Sequence, residues 1–189
     1  FSDARVFNQY IGGWDVSKVT NMTSMFSDAR VFNQYIGGWD VSNVSTFNKM
    51  FNKAFIFNKY IGDWDTSSVA NMNSMFSNAQ GFNQDISTKI VTKEDGTTYK
   101  AWDLTNLKYL ESNPSSGIDK MFNSAYIFNQ DISNWNISNI REENFENIFK
   151  KATKFISGHG SGWIENNTIP KESLFWKINR CNNSQACNY

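Results

Sequence analysis

Residues 1–17 read FSDARVFNQYIGGWDVS, and residues 26–42 repeat the same seventeen letters. A chain that restates itself 25 residues on is an array, and repeats are read first because they decide the fold. Phe1, Phe26, Phe51 and Phe76 keep the interval, and the series resumes at Phe122 and Phe149 after insertions. Other columns follow in step: Ala4, Ala29, Ala54, Ala79, Ala125 and Ala152; Phe7, Phe32, Phe57, Phe82, Phe128 and Phe155; Ile11, Ile36, Ile61, Ile86 and Ile132; Trp14, Trp39, Trp64, Trp102 and Trp135. The period falls inside the window of roughly 20–29 residues that strand-plus-helix solenoids use.

Within a coil the periodicity changes. In WDVSKV the apolar Trp14 and Val16 alternate with Asp15 and Ser17, which predicts a short strand with one buried face. Met22, Met25, Phe26 and Ala29 then fall at i, i+3, i+4 and i+7, which predicts a short helix capped by Thr20 or Asn21. No single coil can bury its own Phe, Trp and Met, so coils are expected to stack and cover one another. The fold expected is α/β: an LRR-like right-handed solenoid of about six 25-residue strand-plus-helix coils over residues 1–155, closed by a C-terminal cap over 156–189. The fourth coil carries insertions at about 87–101 and 108–120.

MFSNAQGFNQDI at 75–86, NWNISNI at 134–140 and GGWDVSNV at 37–44 resemble the BspA-type leucine-rich-repeat surface-protein family, also described as the lipoprotein-associated DUF285 repeat. The resemblance covers residues 1 to about 155. It implies a solenoid on secreted, cell-surface or virion-surface proteins and no enzymatic activity.

Bulk properties narrow the function classes. Lys and Arg number 18 and Asp and Glu 18, so no net field steers the chain to nucleic acid or an anionic membrane. No apolar run approaches the roughly 18 residues that span a bilayer, so no membrane insertion by this segment is expected. The sequence opens on Phe within a repeat, and further copies upstream in a parent chain are expected. A nucleophile with its base, a phosphate loop and a metal cluster are all lacking, so neither an enzyme nor a cofactor is expected. Cys181 and Cys187 would either close a small disulfide loop in an oxidising compartment or stay as inert thiols.

Rows of polar side chains are the candidate sites. Asp15, Asp40, Asp65 and Asp103 would line one face, either bridged by a cation such as calcium or accepting hydrogen bonds locally. Asn136 at the next position keeps the acceptor and loses the charge, which favours the hydrogen-bond role. Tyr10, Tyr35 and Tyr60 give way to Asp85 and Asp131, so the column is expected to be exposed, either as a stripe for a glycan or protein or as rings packed on each other. Between Ile86 and Trp102, Asp95-Gly96 sits between β-rich arms and predicts a type I′ hairpin that projects from the body, with Asp95 at its tip and Tyr99 on its arm. Such an insertion either carries binding or is tolerated loop growth. The reading is a non-catalytic extracellular recognition or adhesion module of a larger surface or fibre protein, whose partner is a protein or glycan. The alternative is a structural subunit of a surface layer, filament or viral particle.

Overall fold

The computed structural model describes residues 1–107, 117–136 and 147–158. Their regular elements are β1 (Lys89–Thr92), β2 (Thr98–Ala101) and α1 (Thr153–Gly158). The repeats themselves are made of linked turns.

From Met22 to Ala29 the amides alternate between two sets of partners. Those of Met25, Ser27 and Ala29 donate to carbonyls three residues back at 3.1–3.2 Å, while those of Met22, Ser24, Phe26 and Asp28 donate to Thr46, Asn48, Met50 and Asn52 of the next repeat at 2.7–3.1 Å. The pattern recurs from 47–53 onto 71–77 and from 72–78 onto 117–123. This corrects the helix expected through Met22, Met25, Phe26 and Ala29. A helix would keep its amides to itself, whereas here every second one ties a repeat to its neighbour. A turn that advances by about four residues faces the same apolar positions inward as a helix of 3.6, so the sequence pattern could not separate them. The strand expected at Trp14–Val16 does not form; the segment lies between two turns, closed by Trp14 N–H on the Ile11 carbonyl at 3.1 Å and Val19 N–H on that of Val16 at 2.8 Å. Among the described residues, parallel pairing in the repeats is confined to single bridges along Asn21, Thr46, Asn71 and Gly117.

These linked turns need left-handed backbone at residues that seldom adopt it. Ser24, Lys49, Ser74 and Lys120 lie at φ 54–56°, and Asp28, Lys53, Asn78 and Ser124 at φ 55–59°. Asp and Asn tolerate this region better than Lys does. Lys53→Asn, which installs the residue the next repeat already carries at Asn78, is expected to stabilise the protein by about 0.5 kcal/mol, read as a higher denaturant midpoint with an unchanged slope.

Two phenylalanine columns form the core. Rings of Phe26, Phe51, Phe76, Phe122 and Phe149 follow one another at 5.4–5.7 Å, those of Phe32, Phe57, Phe82, Phe128 and Phe155 at 5.8–6.1 Å, and the columns touch at 4.0–4.1 Å within each repeat. The tryptophans add direction to this packing. Buried Trp39, Trp64, Trp102 and Trp135 each donate Nε1–H to a carbonyl of the preceding repeat, that of Ile11, Ile36, Ile61 and Ile86, at 2.8–3.3 Å. A buried indole N–H left unpaired would cost about 1–3 kcal/mol, so these bonds hold register as well as area. Cys181, Cys187, the cap from residue 159 onward and residues 108–116 of the second insertion lie outside the described residues.

Candidate functional site

One face of the repeats carries the tyrosine column, the aspartate row and the hairpin. Each tyrosine is backed by the glycine two residues on. A Cβ built on Gly12, Gly37 or Gly62 would lie 2.8–2.9 Å from the Cε2 of Tyr10, Tyr35 or Tyr60, so the ring occupies the space that the missing side chain leaves. Among the described residues no tyrosine ring of this column stacks on another; each packs on its own repeat. The pairing of residue types follows: Tyr-x-Gly in three repeats becomes Asp85-x-Ser87 and Asp131-x-Ser133 in the next two, where the carboxylate accepts the serine amide at 2.8 and 2.9 Å.

The aspartate row is held by short-range hydrogen bonds. Oδ1 of Asp15, Asp40 and Asp65 accepts the hydroxyl of Ser17, Ser42 and Ser67 at 2.6 Å and the amide at 3.0–3.1 Å, and Asp103 accepts the Thr105 amide at 3.1 Å. The Ser17 hydroxyl and amide hold the Asp15 carboxyl below its ordinary value. Ser42 does the same for Asp40, helped by the positive charge of Lys93 and opposed by Asp15. A lysine of this chain thus relieves part of the repulsion along the row. No set of three His, Cys, Asp or Glu side chains among the described residues is placed to share a metal ion.

The hairpin lies back on the repeats instead of projecting, which corrects the expectation. Its strands pair antiparallel from Lys89–Ala101 to Thr92–Thr98. The turn also differs from the expected type I′: Gly96 N–H donates to the Lys93 carbonyl at 3.0 Å, Gly96 sits at φ 82°, and Asp95 is not left-handed, the arrangement of a three-residue loop with a bulged glycine. Asp95 stays at the exposed tip and accepts the Thr97 hydroxyl and amide at 2.6 and 2.9 Å. Tyr99 is half-buried against the core and donates its hydroxyl to the Asp63 carbonyl at 2.5 Å.

At the hairpin base Lys89 and Asp63 form an ion pair at 2.9 Å, Tyr60 donates to Asp63 Oδ1 at 2.7 Å, Lys89 bonds the Tyr60 hydroxyl, and Lys89 Nζ stands 5.0 Å from the centre of the Tyr60 ring. Burial opposes charge on both ends. For Asp63 the hydrogen bonds from Tyr60 and Lys89 outweigh it and lower the carboxyl; for Lys89 the bonds to Tyr60 and Asp63 outweigh it and raise the ammonium. Burial, offset in part by the bond from Lys89, pushes the Tyr60 phenol up. The clasp is therefore charged at neutral pH. A carboxyl lowered by folding contributes stability above its unfolded pKa of about 4 and loses it as pH falls through the folded value. Protection of the β1 and β2 amides against hydrogen exchange is expected to fall on acidification below about pH 4, and Asp63→Asn should remove that step at a cost of at most about 1 kcal/mol, because the pair is partly exposed. Sequence reading missed the clasp. Its one signal is that Gly13 and Gly38 become Asp63 in the repeat that faces the insertion.

Beyond the hairpin the column opens into a polar depression of about 390 Å³ lined by Asp85, Ser87, Gln130, Asp131, Ser133 and Asn134. Asn134 ties it to the insertion, accepting the Thr88 amide at 3.0 Å and donating to the Thr88 carbonyl at 2.8 Å.

The family described as "Mycoplasma protein of unknown function, DUF285" matches residues 1–108 and again 99–188. The chain belongs to DUF285. The second DUF285 match extends past residue 155, where the visible columns stop. No curated protein and no solved structure matches this DUF285 chain. Among its described residues no helix is long and apolar enough to cross a membrane.

Proposed function

We propose that this chain is a non-catalytic recognition module of an extracellular or virion-surface protein, built as a BspA-type leucine-rich-repeat solenoid whose side-chain rows and inserted hairpin engage a protein or glycan. The observation that supports it is the face itself. Successive repeats tied by backbone bonds present Tyr10 and Tyr35 largely exposed, each ring held against glycine, next to a hairpin clasped in place by Lys89, Asp63 and Tyr99. Rigid, amphipathic aromatic surface of this kind binds at low entropic cost. Acid–base groups on the face are engaged with serine hydroxyls, backbone amides or one another, which suits recognition better than proton transfer.

Cell-binding and glycan-array measurements on the intact chain and on a variant with the tip residues Lys93–Thr97 replaced by a two-residue turn test this reading. The expected result is binding that the shortened hairpin weakens severalfold. An intact chain that binds no cell, glycan or protein would remove the proposal.

A further inference from the structure

On one repeat of this face the protein has already seated a cation. The Lys89 ammonium lies 5.0 Å from the Tyr60 ring centre, bonds the ring hydroxyl, and pairs with the Asp63 carboxylate at 2.9 Å. Tyr10 and Tyr35 are the same ring in the two repeats that β1 does not cover. Each has the same glycine backing, and they are 68% and 50% exposed. Gly13 and Gly38 stand where Asp63 stands beside Tyr60, so neither ring has that carboxylate next to it, and the exposed carboxylates of Asp15 and Asp40 follow two residues later.

We propose that Tyr10 and Tyr35 are seats for lysine side chains of an extended segment of a partner protein, laid along the repeats as β1 is laid over Tyr60. The spacing fits such a partner. Same-face side chains of a strand recur at about 6.8 Å, and the rings of Phe7 and Phe32, three residues before the two tyrosines, lie 5.9 Å apart. A lysine at every second position therefore meets one tyrosine per repeat, with the aspartate row beside it to complement the charge. A sugar ring would also stack on tyrosine, but it would bring no countercharge to the Asp15 carboxylate.

This inference rests on the recognition role proposed above and narrows it to a ligand class. Its test is fluorescence anisotropy of the full chain with a labelled Lys-Thr-Lys-Thr-Lys-Thr peptide, against the same peptide carrying Gln for Lys. Binding is expected for the lysine peptide alone and should weaken as salt rises. Tyr10→Ala with Tyr35→Ala should weaken it roughly tenfold while the melting temperature stays within a few degrees, and Tyr10→Phe with Tyr35→Phe should weaken it as well, because the hydroxyl that Lys89 bonds on Tyr60 is then missing from both seats. Equal binding of the Gln peptide, indifference to the alanine pair, or a neutral oligosaccharide that binds at these rings while the lysine peptide does not would each overturn the proposal. A chain that binds cells but not the peptide keeps the recognition role and loses this ligand; one that binds neither loses both.

Discussion

Replacing Phe76 by alanine is expected to destabilise the protein by roughly 3–5 kcal/mol, the cost of removing a fully buried ring whose surroundings cannot collapse. Phe76 has no exposed surface; its ring lies 4.0 Å from Phe82 and 5.6 Å from both Phe51 and Phe122. The substitution opens the stack in both directions at once. Where repeats touch only their neighbours, stability is close to a sum of interface terms, so a gap in mid-array also weakens coupling between the two sides. Denaturant unfolding followed by tryptophan fluorescence should show a lower midpoint and a broader transition. Phe1→Ala is the control, because Phe1 is 41% exposed, and it should cost about 1 kcal/mol or less. Equal losses at Phe1 and Phe76 would show that the columns do not carry the stability assigned to them.

Adjacent glycines should respond in opposite ways to alanine. At Gly37 a Cβ would sit 2.4 Å from the Tyr60 carbonyl oxygen of the next repeat and 2.9 Å from the Tyr35 ring, and the oxygen belongs to backbone that cannot yield without moving the asparagine ladder. In that ladder Asn8, Asn33 and Asn58 accept the amides of Asn33, Asn58 and Asn83 at 2.8–2.9 Å. Gly37→Ala should therefore cost roughly 3 kcal/mol, at the upper end of overpacking. At Gly38 the nearest atom is Tyr35 Cε1 at 3.9 Å, an ordinary contact. Gly38→Ala should leave stability unchanged or raise it by about 0.5 kcal/mol, since alanine narrows the unfolded ensemble. Thermal melts of the two variants decide the matter: similar midpoints would mean that the repeats are spaced more loosely than the Gly37 contact implies.

Much of the core was legible in the sequence and little of the local backbone was. From the second repeat on, the columns of Phe, Ala, Ile and Trp identify buried residues, because a side chain repeated 25 residues on meets its own copy when repeats lie together. Met22, Met25, Phe26 and Ala29 pointed inward as read, yet along linked turns, because left-handed φ at Ser24 or Lys49 leaves no mark in residues that usually avoid it. The Asp95-Gly96 hairpin was legible as a hairpin and its resting place was not. That depended on a single change, Gly38 to Asp63 one repeat later, which gained meaning only when Lys89 arrived from 26 residues further along. The tryptophan N–H bonds were hidden for a similar reason: the acceptors are carbonyls, which every residue carries.

Residue identity alone settled which side chains must leave water, since aromatic groups in such number have no other cover than one another. It could not settle which tyrosines stay open. Tyr10, Tyr35 and Tyr60 share the letters Tyr-Ile-Gly, but Tyr60 lies against Lys89 and the other two do not. Exposure belongs to whatever the chain lays over a residue, and that is decided by contacts made across the fold.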